Sequence, residues 1–287
     1  MKYKYLTIAF SIVIVLILFI AVLLPLMIWS GTGLQSNAGL MLRSSPFSYT
    51  PNLLLITLLF FVIIVIILVS FTVFFFLNYR LFSLLEREDW PALAYYLEQE
   101  LFVKGKYSIR KVQLLASSYM VISDYSSVLK LESKAMLVKP ITVAKNAMIF
   151  GAARVLNGNY KEAAAFFRKY IEKNDWLRWY YGFSCLLGGV FSQAESEFTS
   201  LVTTSRNPLI TGLSAYFLAN NLIRHSLKSE ECRTAAENGC TRVVEKLKKS
   251  ANWYKKVKKS ASEIHIAVIR KYVDETGKWL FSQEVSL

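Results

Sequence analysis

The stretch Gly151–Phe167, GAARVLNGNYKEAAAFF, returns in a degraded form at Gly182–Phe198 as GFSCLLGGVFSQAESEF. The glycine, alanine and phenylalanine positions that the two stretches share are all displaced by 31 residues. Self-similarity at a fixed spacing of roughly 20–50 residues is typical of tandem structural repeats. The pair therefore predicts a helical repeat domain, a class of structure that generally binds other proteins.

The repeat can be followed backwards through an aromatic residue that comes directly after a short polar or glycine-containing turn. In the four copies this residue is Trp90, Tyr125, Tyr160 and Phe191, and the first three are 35 residues apart. Gly158 and Gly189 lie in the turn, where a positive φ is tolerated without steric cost. Four copies of a turn and the helix after it are therefore expected.

Further helices are predicted beyond the repeated stretches. Asn207 and Pro208 introduce a helix over residues 209–225, and Ser229 introduces a second over 229–249. A last helix is expected from about Asn252 to Tyr272. Because terminal elements of repeat arrays are commonly polar, this last helix is expected to cap the domain.

The repeated positions resemble the tetratricopeptide repeat signature. They are Gly151, Gly158, Tyr160, Ala163 and Phe167 in one copy and Gly182, Gly189, Phe191, Ala194 and Phe198 in the next. One departure is Glu132, which stands where a packing aromatic residue would be expected. The resemblance implies an all-α fold, an α-solenoid of helical hairpins in which the first helix of each hairpin lines a protein-binding face.

Carrying that pattern over by position predicts a partner-binding groove. Its residues would be Lys145, Met148, Trp176, Arg178, Trp179 and Phe183. The segment Trp176–Phe183, WLRWYYGF, is the densest aromatic cluster after the N-terminal region, and exposed aromatic residues beside Arg are typical of binding hot spots. The alternative is that these rings pack against neighbouring helices or against the C-terminal helix.

Two uncharged stretches near the N-terminus predict transmembrane helices. They cover residues 6–29 and 53–77, and about 24 residues at about 1.5 Å each are enough to cross a hydrocarbon core about 30 Å thick. The first is too long for a signal peptide and has no small-residue cleavage pattern, which favours a retained anchor. The predicted domains are a membrane anchor over 1–78 with a connector over 30–52, a helical repeat domain over 79–249, and a basic capping helix and tail over 250–287.

The distribution of basic residues predicts the orientation of this anchor. Lys2, Lys4, Arg80 and Arg87 flank the two spans, whereas Arg43 is the single charge of the connector. The positive-inside tendency then places both termini in the cytoplasm. Neither span contains an ionisable residue, which favours anchoring over transport. The short basic N-terminus and the compact size favour a bacterial inner membrane protein.

The formal net charge of +14 predicts attraction to anionic surfaces. The stretch from Arg242 to Lys259 contains one acidic residue, Glu245. Contact with anionic lipid is predicted for Lys248, Lys249, Trp253, Lys255, Lys256, Lys258 and Lys259, with Trp253 in the headgroup region. Nucleic acid is disfavoured as a partner because no known binding module contains these lysines. A solvated helix face is the alternative.

No arrangement of residues in the sequence indicates catalysis, a metal site or a cofactor. His225 and His265 are far apart and are expected on helix surfaces or at caps, and the three cysteines lack metal-ligand spacing. The sequence thus predicts a non-enzymatic scaffold or adaptor at the cytoplasmic membrane face. A structural subunit of a larger membrane complex and a membrane-bound enzyme with an unrecognised site are the alternatives.

Overall fold

A computed structural model of the chain describes residues 51–225, 229–260 and 263–282. The regular elements of these residues are all helices, which confirms the all-α prediction. The chain divides into two compact units between Asp89 and Trp90. The predicted span over residues 6–29 and the connector up to residue 50 lie outside the described residues.

The described part of the first unit is one long helix, α1, from Pro51 to Glu86. Within it, Leu59–Glu86 is long and apolar enough to cross a membrane, with a mean hydropathy of 3.2, and none of the apolar window is buried by the residues that the structure describes. The Thr72 hydroxyl donates to the Leu68 carbonyl and the Asn78 amide to the Phe74 carbonyl, at 2.9 and 2.8 Å. These local bonds satisfy the polar groups of both side chains within the helix itself. The residues predicted as the second span therefore do form a helix of membrane-spanning length.

The second unit contains thirteen α-helices within the described residues. They are α2 (Trp90–Glu98), α3 (Ile109–Val121), α4 (Tyr125–Val138), α5 (Pro140–Lys145), α6 (Ala147–Leu156), α7 (Tyr160–Arg168), α8 (Asp175–Leu187), α9 (Phe191–Thr204), α10 (Pro208–Phe217), α11 (Ser229–Leu247), α12 (Ser250–Ser260), α13 (Ile264–Val268) and α14 (Arg270–Ser282). Two of them, α2 and α10, continue as π-helical turns over Gln99–Val103 and Leu218–Leu222, and a 3₁₀ turn, Ile171–Lys173, precedes α8. The single helix expected over 252–272 is wrong, since the chain forms α12, α13 and the start of α14 there.

The turn before each aromatic residue has the same backbone geometry in all four copies. Its left-handed residues are Glu88 (φ 56°), Ser123 (φ 60°), Gly158 (φ 77°) and Gly189 (φ 77°). In the third copy the Gly158 amide donates to the Val155 carbonyl at 3.1 Å and the next amide donates to the Arg154 carbonyl at 3.0 Å. The other three copies repeat this pair of bonds, the Schellman pattern that ends a helix. The predicted turns at Gly158 and Gly189 are therefore confirmed.

The two helices of a hairpin pack through contacts between a small and an aromatic residue. A Cβ atom added to Gly151 would lie 2.1 Å from Cζ of Phe167, and one added to Gly182 would lie 3.0 Å from Cε1 of Phe198. Both phenylalanines are fully buried. At the equivalent position in α4, Glu132 is buried instead and forms an ion pair with Arg154 of α6, with 2.5 Å between Oε2 and Nη1.

Helices α3, α6, α8 and α10 form a row in which each contacts the next, and we call it the first-helix row. Their partners α4, α7, α9 and α11 pack on the preceding first helices. The chain then returns along the row: α13 packs on α6, and α14 packs on α10 and α11. This C-terminal return decides how much of the row remains accessible.

Candidate functional site

The predicted groove is centred on α8, whose start is fixed by local hydrogen bonds. The Asn174 side chain accepts from the Leu177 amide at 2.9 Å, and Asp175 in the first turn accepts from the Ser205 hydroxyl at 2.7 Å. An acidic residue at this end also interacts favourably with the helix dipole. From this start, α8 carries Trp176, Arg178, Trp179 and Phe183 along its length.

Two of the predicted groove residues lie in the core, so their assignment as partner contacts is wrong. Trp179 is completely buried and Phe183 is 3% exposed. The two rings stack with 5.1 Å between centroids, and Trp179 also lies 6.0 Å from the Phe198 ring and 5.9 Å from the Phe217 ring. The physical reason is that the large apolar faces of these rings gain more from close packing between helices than from water.

The C-terminal return covers this part of the first-helix row. The Tyr180 hydroxyl donates to the His265 carbonyl at 2.7 Å, and the Trp176 ring lies 5.0 Å from the His265 ring. Further along, the Tyr272 ring lies 5.5 Å from Phe183 and 5.1 Å from Phe217. A segment of the same chain therefore occupies the face that the resemblance assigned to a partner.

The remaining groove residues keep part of their surface accessible. Lys145 at the end of α5 is exposed, and Met148 and Trp176 are half-buried. Lys173, in the 3₁₀ turn before α8, contacts the end of α5, since its Nζ lies 3.4 Å from the Ala144 carbonyl. Arg178 is half-buried, but its Nε donates to Oε2 of Glu197 at 2.6 Å, which makes it a structural bridge between α8 and α9.

Two cations of the basic stretch bond to backbone carbonyls of a neighbouring helix end. Arg242 donates to the Val202 and Thr203 carbonyls at 2.7 and 2.8 Å, and Lys246 donates to the Arg206 carbonyl at 2.8 Å. These two side chains satisfy carbonyls at and just beyond the C-terminal end of α9, where cations are favourable. The predicted lipid-contact lysines are all exposed: Lys248, Lys249, Lys255, Lys256, Lys258 and Lys259.

Trp253 does not belong to that exposed set, and its predicted place among headgroups is wrong. It is completely buried, and its Nε1 donates to the Val273 carbonyl at 3.3 Å. Its ring occupies space left by two glycines, because a Cβ on Gly212 would lie 2.9 Å from Cζ3 and one on Gly277 would lie 2.7 Å from Nε1. Trp253 therefore locks α12 onto α10 and α14 and leaves the lysines on the outside.

The histidines have different environments. His225 is exposed, as predicted, and stacks on Phe191 with 4.2 Å between ring centroids. The surface position predicted for His265 is wrong: the residue is 6% exposed, between Trp176 and Tyr180. Burial lowers the pKa of His265 to about 4, so that its ring is neutral at pH 7. Its Nε2 lies 3.5 Å from the Glu263 carboxylate.

Reactive or metal-binding groups are not grouped together in the described residues. Those residues contain no cluster of three or more His, Cys, Asp or Glu side chains that could hold a metal ion. The three cysteines are buried and free, and burial raises the pKa of the Cys232 thiol to about 11. At neutral pH this thiol is protonated and is a poor nucleophile.

Sequence reasoning missed an exposed apolar surface at the junction of α4 and α5. Met136, Leu137, Val138 and Ile141 are between 41% and 87% exposed there. The signal was present in the sequence as MLVKPI, an apolar run that Pro140 interrupts.

Comparison with known proteins places most of the second unit in a family. A protein of Treponema pallidum (strain Nichols), named "Uncharacterized protein", is 37% identical over 149 residues, which are 50% of this chain and 48% of that relative. The chain thus spans about half the length of this relative. A family model matches residues 127–282, from α4 to the end of α14, and so includes the C-terminal return. Because this match covers more than half of the chain, the protein belongs to the family described as "Uncharacterised Treponema protein".

Proposed function

We propose that this chain is a membrane-anchored scaffold that holds a protein partner beside a bilayer. The observation that carries the proposal is α1, whose apolar window within Leu59–Glu86 is not buried by the described part of the chain. An uncovered apolar helix of 28 residues is suited to hydrocarbon rather than to water. Only residues 87–89 separate it along the chain from the helical unit.

The helical unit is proposed to be a tetratricopeptide-like array. Support comes from the four turns, which share a positive φ and the same pair of backbone hydrogen bonds, and from the Gly151–Phe167 and Gly182–Phe198 contacts, which recur at equivalent positions. Arrays of this kind bind proteins through surfaces built by adjacent repeats. Here the C-terminal return fills one part of the row, so the partner surface is proposed at Lys145, Met148 and the exposed edge of Trp176.

Photo-crosslinking in cells tests this surface. A crosslinking amino acid at Lys145 or Met148 is expected to capture one protein repeatedly, whereas the same group at Lys161, an exposed site on α7, is expected to capture none specifically. Equal capture from all three sites would contradict the assignment.

Purification in mild detergent distinguishes an adaptor from a subunit of a larger membrane complex. A stoichiometric complex that survives high salt favours the subunit role over the adaptor role.

We also propose that the helical unit lies in the cytoplasm of a bacterial inner membrane. Arg80 and Arg87 at the end of α1 support this orientation through the positive-inside tendency. Reporter fusions test it directly. A fusion after Leu287 is expected to be active only with a cytoplasmic reporter, and a fusion near Gly39 only with an extracytoplasmic one. The reverse pattern of reporter activity would contradict the proposed cytoplasmic location of the helical unit.

A further inference from the structure

An apolar tip lies where α4 ends and α5 begins. It consists of Met136, Leu137, Val138 and Ile141, which are 41%, 87%, 59% and 49% exposed. The α4 helix ends at Val138 because Pro140 follows and disfavours helical backbone at Lys139, which has φ −152° and ψ 80°. Within the described residues, Leu137 and Val138 in the last turn of α4 therefore keep most of their side-chain surface exposed, although α5 follows and packs on α4.

A second segment extends this apolar surface. Val103, at the end of the π turn, is 72% exposed, and Ile109, at the start of α3, is 37% exposed. The two segments are neighbours, because Lys134 of α4 lies over the Phe102 ring with 3.9 Å from Nζ to the centroid. In addition, the Asn146 side chain donates to the Ile109 carbonyl at 3.2 Å. Exposed apolar residues grouped on neighbouring segments, unlike single exposed residues, are typical of an interaction surface.

Cations surround the apolar tip. The exposed ones are Arg110, Lys134 and Lys139, together with Lys104 and Lys106, whose Nζ atoms lie 2.6 and 3.8 Å from the Glu100 carboxylate. The two acidic residues of these segments face inward instead: Glu100 is held by Lys104 and Lys111 at 2.6 and 2.8 Å, and Glu132 by Arg154. The outer rim of this surface is therefore positively charged.

We propose that the apolar tip inserts into the headgroup region of an anionic bilayer, with Leu137 deepest and the surrounding lysines on lipid phosphates. Apolar side chains that lie roughly 5–10 Å deep beside Lys and Arg are the arrangement of interfacial membrane anchors. A bilayer is favoured over a protein partner because the same chain carries the apolar helix α1, three residues before this unit. This inference rests on the proposed membrane anchoring, and it adds a second, reversible contact with lipid.

Fluorescence of the full chain in lipid nanodiscs tests the insertion. Leu137→Cys, labelled with an environment-sensitive dye, reports the tip, and Ser192→Cys on α9 is the matched exposed control. Labelling is selective because Cys185, Cys232 and Cys240 are buried. In discs that contain phosphatidylglycerol, the dye at position 137 is expected to shift to the blue and to lose most of its fluorescence to brominated lipids. The dye at position 192 is expected to do neither.

Charge and anchoring are tested in the same samples. Lys139→Glu in the labelled chain is expected to weaken the quenching, and discs of neutral phosphatidylcholine should weaken it likewise. An unquenched label in phosphatidylglycerol discs that do retain the chain would overturn the insertion and leave the anchor intact. A blue shift without lipid quenching would indicate a protein cover and would also overturn it. A chain that does not co-migrate with discs would overturn both proposals.

Discussion

The hydroxyl of Tyr180 donates a hydrogen bond to the backbone carbonyl of His265, 2.7 Å away and 85 residues later in the chain. Tyr180 is fully buried, and this bond satisfies its hydroxyl inside the protein. It ties α8, in the middle of the first-helix row, to the start of the C-terminal return. The face that a resemblance to other repeat proteins assigned to a ligand is thus partly filled by the chain itself.

The first prediction concerns Trp179, which the structure places in the core. Trp179→Ala is expected to lower the free energy of unfolding by about 3–5 kcal/mol, because it removes a completely buried ring and leaves a cavity. Trp176→Ala, on the same helix but half-exposed, is expected to cost much less. Urea unfolding of both variants in mild detergent measures the difference. Two variants of equal stability would contradict the core assignment.

The second prediction concerns the repeated left-handed turns. Ser123→Gly is expected to raise the free energy of unfolding by up to about 1 kcal/mol, because glycine adopts the positive φ without steric cost. Gly158→Ala is expected to lower it by about 1 kcal/mol for the converse reason. An added Cβ at Gly158 meets no atom within 4 Å, so the effect is conformational. Opposite shifts in unfolding midpoint would support the shared turn, and shifts of the same sign would count against it.

The sequence was sufficient for these turns because their signal is local. A polar or glycine-containing turn, an aromatic residue and small residues at fixed offsets specify where a helix ends and which face packs. The same local reasoning gave the helices on both sides of Gly158 and Gly189. It also predicted α1, because a long uncharged run can be identified as a helix of membrane-spanning length without knowledge of its contacts.

The sequence was not sufficient for the C-terminal return, which depends on contacts between distant residues. Nothing near Trp253 shows that Gly212 and Gly277 leave room for its ring, so a tryptophan among lysines was read as a surface residue. Trp179 was misread for a similar reason. An aromatic residue beside Arg178 has the composition of a binding hot spot, but Phe183, Phe198 and Phe217 surround its ring.

The third prediction tests the packing that holds this return. Gly277→Ala is expected to loosen α12 and α14, because the new Cβ would lie 2.7 Å from Nε1 of Trp253 and 3.3 Å from the Tyr254 hydroxyl. Limited proteolysis should then cleave the chain faster beyond residue 250. The double variant G277A/W253F, with a smaller ring, should recover part of the protection. No change in cleavage with Gly277→Ala would show that Trp253 can move at little cost.

The fourth prediction concerns pH and His265. Its pKa is about 4 when folded and about 6.5 when unfolded, so the unfolded chain binds more protons between these values. Stability is therefore complete above about pH 6.5 and falls by up to about 3 kcal/mol as the pH drops to 4. His265→Gln should flatten this dependence, although it lowers stability at pH 7. If His265→Gln leaves the pH dependence of stability unchanged, that dependence arises from other titrating groups.

The fifth prediction concerns the exposed lysines of α12, which we propose to attract anionic lipid. The triple variant K255E/K258E/K259E is expected to weaken association of the second unit with phosphatidylglycerol surfaces, since each lysine near such a surface contributes about 1 kcal/mol. Trp253 keeps these side chains on the outside, so the substitutions should leave the thermal midpoint nearly unchanged. The matched control K161E/R168E/K169E changes the net charge equally on α7. Hydrogen exchange of the full chain in nanodiscs compares the protection of α12 between anionic and neutral lipid, and the difference should disappear in high salt and in the α12 variant alone. An equal loss in the α7 control would mean that net charge, rather than this helix face, determines the contact.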